Sequence, residues 1–457
     1  MWVALIKYDL YGNNFSACKT LTSNQLPCKK INVLKTILLL GAGKSATVLI
    51  DYLLKECAVN KWKFIIADAN KEQILLKTNN SLYAEAVQLD ITNDKQREKL
   101  IQRAHVVISM MPPALHFLVA KDCVEYRKHL LTASYVDNNI KSLRDEIAQR
   151  KLLFLCEMGL DPGIDHMSAM KIIDGIKANN GSITSFKSHC GGLVAPESDD
   201  NPWHYKISWN PRNVVIAGKA GAEYKLNNII EHKGYKELFN NCPQINIDGL
   251  GKLVAYPNRD SLSYIPIYKL DKAETFIRTT LRYPSFCEGW NAIAQAGLAN
   301  DVDEINTQSL SFVNWSKAIT PFVNDQTKAM LQWLGLFDES LVPATAKTSA
   351  DVLQYLLENK LAMQPTDKDM IVMLHEIEYS LMGKTHKIES SLIVKGDNSL
   401  RTAMAKTVGL PLGIAAKLIL NNTIQLAGIY IPIIKEIYEP VLKELEQAGI
   451  SFEERKI

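Results

Sequence analysis

The stretch Thr36-Ile-Leu-Leu-Leu-Gly41-Ala42-Gly43-Lys44-Ser45-Ala46, with Asp68 ending the next apolar run, holds the most direct chemistry in this chain. A buried-type strand runs into Gly-x-Gly-x-x-Ala, and the backbone amides at the start of the following helix suit a pyrophosphate. Gly41 permits the tight turn, Gly43 admits the phosphate, and Ala46 is small enough for close helix–strand packing. Ala42, Lys44 and Ser45 complete the loop. Asp68 is placed to accept hydrogen bonds from ribose hydroxyls and to repel a 2′-phosphate, so NAD is expected over NADP. A P-loop is rejected, because that pattern needs glycine five residues before the second glycine and position 38 is Leu38.

Further polar residues follow other short apolar runs. Ser109-Met-Met-Pro112 and Thr132-Ala-Ser134-Tyr135 are two such sets. Met158-Gly-Leu-Asp161-Pro-Gly163-Ile-Asp165-His166 is a third, stiffened by proline and glycine. Asp161 suits a proton-transfer role or a structural one, and Asp165 suits a helix cap. Ser188 to Pro202 reads as a long polar loop, of a kind that tends to be functional. Its Gly191 and Gly192 permit close approach of a ligand, and Cys190 reads as a small packing residue more readily than as a nucleophile. No second pair at ligand spacing accompanies His189-Cys190, so no metal is expected. Arg259, in Tyr256-Pro-Asn-Arg-Asp, and Arg282, in Arg278-Thr-Thr-Leu-Arg-Tyr283, can bind carboxylates through two parallel hydrogen bonds.

The elements that must position these groups are legible. Strand candidates are 36–40, 63–67, 86–89, 106–110, 130–131 and 152–156. Helical stretches at 45–54, 95–103, 114–126 and 140–150 lie among them. Such alternation predicts a Rossmann-type, doubly wound parallel sheet whose ligands bind at the carboxyl ends of the strands. From about 182 to 290 the text is turn-rich, with β-like runs at 186–189, 214–217 and 276–283. Residues 325–380 read as mainly helical, 389–395 as β-like, and 399–420 as a helix rich in small residues. The expected organisation is an N-terminal extension (1–34), a dinucleotide-binding domain (35–164), a mixed substrate and dimerisation domain (165–400) with a helical part at about 300–385, and a C-terminal return to the first domain (401–457).

Bulk properties narrow the partners. A chain of 457 residues with formal net charge +3 gives no hint of nucleic acid. The absence of an uninterrupted apolar run of about 18 residues argues against a membrane span. Eight cysteines without a Cys-x-x-Cys motif suggest reduced thiols and a cytoplasmic protein. Met1 to Lys7 lacks the basic region of a signal peptide.

Taken together, Met158 to His166, Cys190-Gly-Gly-Leu with its continuation to Trp209, the Tyr256 and Arg278 segments, and Arg401-Thr-Ala-Met-Ala-Lys-Thr-Val-Gly409-Leu-Pro411 resemble the saccharopine dehydrogenases of the L-glutamate-forming type. The resemblance covers residues from about 36 to the C-terminus. It implies a nicotinamide-dependent interconversion of saccharopine and water with L-glutamate and 2-aminoadipate 6-semialdehyde, acting on a small amino-acid substrate, in a homodimer. It implies that Ser134, Tyr135, Asp161, Cys190, Gly192, Trp209, Arg259 and Thr280 line the substrate site, and charge logic adds Arg282. Asp161 is the expected acid/base, with Tyr135 positioning the substrate and Cys190 beside them. Family members that use NADP tend to carry a basic residue near the end of the second strand, so Asp68 marks a departure that Lys71 only partly offsets. Alternatives are a sister enzyme, such as a lysine 6-dehydrogenase or a carboxynorspermidine dehydrogenase, and a non-catalytic dinucleotide-binding protein.

Overall fold

The computed structural model describes residues 34–457; the expected N-terminal extension, apart from Leu34, lies outside them. The early strands are β1 (Thr36–Leu40), β2 (Lys63–Asp68), β3 (Ala84–Gln88), β4 (Val106–Ser109), β5 (His129–Thr132) and β6 (Leu153–Leu155). The middle of the chain supplies β7 (Ser182–Val194), β8 (Ala222–Leu226), β9 (Ile229–Lys233), β10 (Gln244–Ile247), β11 (Gly251–Pro257), β12 (Arg259–Asp260), β13 (Thr275–Arg282), β14 (Asp369–Leu381) and β15 (Lys384–Lys395). The last two are β16 (Gly428–Tyr430) and β17 (Glu453–Lys456).

The first sheet has the order β16-β6-β5-β4-β1-β2-β3 and all its pairs are parallel. β1 is buried at every residue, as a strand covered on both faces must be. Ile37 and Leu39 pack toward Leu49, Ile50 and the late helix Ala403–Leu420. Leu38 and Leu40 pack toward Leu100, Ile101 and Val119 on the opposite side. The expected doubly wound sheet is therefore present, with its strand order reversing between the paired neighbours β1 and β4, where such sheets place their crevice. The helix Ala403–Leu420 is long and apolar enough to cross a membrane by composition, but it is largely buried inside the protein. Gly409 and Gly413 let it settle on the helix Thr47–Asn60: a Cβ on Gly413 would lie 2.6 Å from the Tyr52 ring.

The second sheet is mixed, with the path β10-β11-β13-β7-β14-β15-β17 and with β8, β9 and β12 beside it. Three expectations fail here. Ser188–Val194 is no loop but the second half of β7, a central strand paired in parallel with β13 and antiparallel with β14. Residues 369–381 form β14 rather than helix, because a strand paired on both sides reads as a nearly continuous apolar run that periodicity does not separate from a buried helix. Val214–Ala217 is not β-like: Val214 and Val215 end the short helix Pro211–Val215, which Asn210 caps from its side chain. A helical layer with Pro284–Gln295, Asp325–Leu334 and Ser349–Lys360 surrounds the buried Trp203 and Trp290. The tail divides: β16 extends the first sheet beside β6, whereas β17 joins the second beside β15.

Candidate active site

The dinucleotide loop has the form its residues predict. Gly41 has φ 95°, and a Cβ there would lie 3.0 Å from the Met110 carbonyl oxygen. At Gly43 the space a Cβ would fill is open to 4 Å. No side chain caps the turn Lys44–Ala46, so Gly43, Lys44 and Ser45 fit a pyrophosphate at an uncapped helix start. Ala46 is fully buried. Ala42 contributes differently: its amide donates to Asp68 Oδ2 at 2.7 Å, and the Asn70 amide donates to Asp68 Oδ1 at 3.0 Å. Lys77 donates to the Ala42 and Gly43 carbonyls at 2.6 Å each, and burial lowers its pKa to about 8 against the pull of Asp68 and Asp51.

Ser109 and Pro112 lie at the carboxyl end of β4 and just beyond it. The Ser109 hydroxyl is buried against His116 Nδ1 at 2.8 Å, and His116 Nε2 reaches the Ser134 hydroxyl at 2.7 Å. Burial lowers the His116 pKa to about 4, with Asp137 opposing, so the imidazole is neutral and joins the ends of β4 and β5 through two serines. Pro112 starts the short turn Pro113–Leu115. Nothing in the sequence singled out His116, which sits seven residues past β4 on a helix.

Beyond β5 and β6 the chain meets the second sheet. A cavity of about 670 Å³ opens there, lined by Tyr135, Glu157, Arg259, Tyr264 and Arg278 and by the apolar run around Ile431. Arg259 is exposed, with its guanidinium 5.4 Å from the centre of the Tyr135 ring. Burial pushes the Tyr135 phenol up to about 12, which keeps it protonated and able to donate. Arg278 is buried and serves two carboxylates: it pairs with Asp161, and with Asp165 at 3.0 Å. Burial pushes the Asp161 carboxyl above the usual range against the pull of Arg278. For Asp165 the same burial penalty is outweighed by His166, Arg278 and the Gly163 amide, and its carboxyl stays below that range. Asp165 does accept the Gly163 amide at 2.6 Å, close to the expected cap, but its ion pair was not foreseen.

Along one face of β13 the side chains of Arg278, Thr280 and Arg282 alternate with those packed behind the sheet. Cys190 lies beside Thr280 on β7, and Gly192 follows on the same face. Gly191 faces the other way: a Cβ there would lie 2.5 Å from the Leu281 carbonyl, so it serves strand packing and not a ligand. Burial pushes the Cys190 thiol well up, and no base bonds to it among the described residues, which argues against the nucleophilic role and for a packing one. Arg282 is 5% exposed. It stacks between the Tyr205 and Phe286 rings at 5.3 and 5.2 Å and donates to the Leu281 carbonyl at 2.8 Å. Among the described residues it has no carboxylate partner, and its Nε is buried without an acceptor. Trp209 borders this end, its indole N–H donating to the Tyr205 hydroxyl at 3.3 Å.

Comparison with known proteins decides the family. Residues 37–155 match the saccharopine dehydrogenase NADP binding domain, and residues 159–450 match the saccharopine dehydrogenase C-terminal domain. The chain belongs to the saccharopine dehydrogenase family. It is 33% identical to saccharopine dehydrogenase [NADP(+), L-glutamate-forming] of Saccharomyces cerevisiae, over 93% of this chain and 99% of that one. The apo structure of the L-Glu-forming saccharopine dehydrogenase of the same yeast superposes with a TM-score of 0.83, at 31% identity, covering 93% of this chain and all of the other. The alpha-aminoadipic semialdehyde synthase of Arabidopsis thaliana is 32% identical over 92% of this chain but only 44% of its own length. The chain thus spans about half the length of the semialdehyde synthases it matches.

Family membership overturns one expectation. The matching domain is the NADP-binding one, and the fungal dehydrogenases carry NADP(+) in their names, so the preference for NAD read from Asp68 does not stand. The geometry supplies the reason. Both Asp68 oxygens accept backbone amides, and the cationic side chain of Lys77 lies against the same loop. The amide dipoles and the Lys77 charge offset part of the repulsion that Asp68 exerts on a 2′-phosphate.

Proposed function

We propose that this saccharopine dehydrogenase family member interconverts saccharopine and water with L-glutamate and 2-aminoadipate 6-semialdehyde, using NADP(H). The observation that carries the reading is the arginine row on β13. Arg278 and Arg282 are four residues apart, roughly 13 Å along a strand, with Thr280 and Cys190 between them. Arg278 is compensated by Asp161 and Asp165, whereas Arg282 is a buried cation waiting for an anion. Arg259 adds a third cation at the cavity mouth. An elongated substrate with carboxylates toward both ends suits the two arginines that no aspartate compensates, Arg282 on the strand and Arg259 at the mouth, since a desolvated guanidinium gains most from a fork-shaped pair with a carboxylate.

Gly43, Lys44 and Ser45 would hold the pyrophosphate of NADP(H), which would supply the hydride chemistry. Arg282 and Arg259 hold substrate carboxylates and fix the carbon–nitrogen bond against the crevice. Tyr135 donates a hydrogen bond, and Asp161, whose proton affinity is raised by burial, exchanges protons with the substrate nitrogen. Arg278 keeps Asp161 in place. A lysine-type substrate with a single carboxylate leaves one of the arginines unsatisfied, which favours saccharopine over that alternative.

The test is nicotinamide absorbance with saccharopine, lysine and carboxynorspermidine offered side by side, each with NADP and NAD. Turnover of saccharopine with the higher kcat/KM for NADP is expected. Turnover of lysine alone, or cofactor binding without turnover of any substrate, refutes the reading. A homodimer is the proposed assembly, to be checked by light scattering of the purified protein.

A further inference from the structure

Glu157 lies two residues beyond β6, at the carboxyl edge of the first sheet. Its side chain is only 6% exposed, yet it forms part of the cavity wall with Tyr135, Tyr264 and Arg278. It accepts from a backbone amide and a phenol and meets an imidazole nitrogen. The Val136 amide donates to Oε1 at 3.3 Å, the Tyr264 hydroxyl donates to Oε2 at 3.1 Å, and His166 Nε2 lies 2.8 Å from Oε2. Among the described residues no lysine or arginine pairs with it. In this it differs from Asp161 and Asp165, which share Arg278.

His166 is fully buried behind Glu157. Its ring stacks on Tyr264 at 5.2 Å, and Nδ1 lies 2.5 Å from the Tyr268 hydroxyl and 3.8 Å from Asp165. The imidazole therefore touches a carboxylate on one nitrogen and a hydroxyl on the other. A proton on Glu157 can be passed to His166, and one on His166 to Glu157, without either group leaving its place. One carboxylate oxygen holds the Val136 amide, while the other faces Tyr264 and His166 beside the cavity; a buried carboxylate that no lysine or arginine offsets among the described residues is costly unless it serves a purpose.

We propose that Glu157, backed by His166, is a second acid/base of the site, acting on the water and nitrogen of imine hydrolysis. The inference rests on the functional reading above. As the water oxygen bonds to the iminium carbon, the C=N π pair moves to nitrogen and the water proton passes to Glu157, leaving a carbinolamine. Glu157 then returns that proton to the nitrogen. The C–N bond breaks with its electron pair going to nitrogen, and the hydroxyl proton passes by way of Glu157 to the departing amine, which leaves as an ammonium beside the aldehyde. Water and iminium are consumed, aldehyde and ammonium are formed, and Glu157 ends as the carboxylate it began. His166 and Tyr264 are positioning residues that hold the carboxylate toward the cavity.

The test uses the full chain with Glu157→Gln, which keeps size and most hydrogen bonds, and Glu157→Ala, which leaves room for a small acid. NADPH binding, read by fluorescence, and the saccharopine KM should stay within about fivefold of wild type, while kcat falls by about 100-fold or more in both variants. Added sodium formate should restore at least a tenfold gain to Glu157→Ala and none to the wild type; a purely structural role gives no such rescue. A Glu157→Gln kcat within fivefold of wild type overturns the proposal, as does a Glu157→Ala defect that formate leaves unchanged. Wild-type enzyme without saccharopine turnover indicts the functional reading instead, so the two failures are separable.

Discussion

Arg278 and Arg282 stand four residues apart on one face of one strand, and replacing each by methionine should give opposite phenotypes. Arg282 has no acidic partner among the described residues; its loss removes its bonds to the Leu281 and Gly192 carbonyls and leaves no carboxylate stranded. Methionine retains apolar contact with Tyr205 and Phe286, so the stability change should stay within about 2 kcal/mol. The substrate, however, loses a desolvated charge-assisted pair, for which truncation typically costs 2–5 kcal/mol. Taking about 3 kcal/mol, the saccharopine KM should rise roughly 150-fold, with the NADPH dissociation constant unchanged. Arg278→Met instead strands Asp161 and Asp165 in a buried site, a defect of about 3–5 kcal/mol in folding. Steady-state kinetics, cofactor titration and urea unfolding of the two variants, run in parallel, decide the matter. A saccharopine KM within threefold of wild type in Arg282→Met refutes the reasoning, and so does equal destabilisation by both substitutions.

Further outcomes follow from single groups. His116 and His375 are buried with folded pKa values of about 4, both lowered chiefly by burial. The unfolded chain titrates near 6.5, so below that pH it binds protons the native state refuses. Stability should therefore be intact above pH 6.5 and fall as pH drops toward 4, by roughly 3 kcal/mol for each histidine; His116→Gln should flatten the urea midpoint between pH 7 and 4.5, and an unchanged slope counts against it. Gly413→Ala brings a Cβ to within 2.6 Å of Tyr52 and should cost about 1–3 kcal/mol, read as a lower Tm. Cys190→Ser should keep kcat within about fivefold, because a buried neutral thiol is not the nucleophile, and a loss of 1000-fold or more would restore that role.

Local patterns carried much of the first domain. The apolar run at 36–40 and the glycines after it specify a strand, a tight turn and a helix through contacts a few residues apart. Asp68 shows where such reading stops. Its type predicted a free acid at the ribose, but its effect depends on whether Ala42 and Asn70 turn their amides toward it and on where Lys77, nine residues later, comes to rest. β14 shows the same limit for secondary structure, since burial on both faces erases the alternation that marks a strand.

By itself the sequence determined the dinucleotide fold, the candidate list from Tyr135 to Arg282 and, through its long motifs, the family. Only the tertiary structure decided what those residues are to one another. Arg278 is the counter-ion of two aspartates, and Arg282 is a cation with none among the described residues. Glu157 and His166, nine positions apart across a turn, become a hydrogen-bonded pair on a cavity wall. Residue type fixes what charge a side chain can carry, but its energy and its use depend on desolvation and on partners brought from more than 100 positions away.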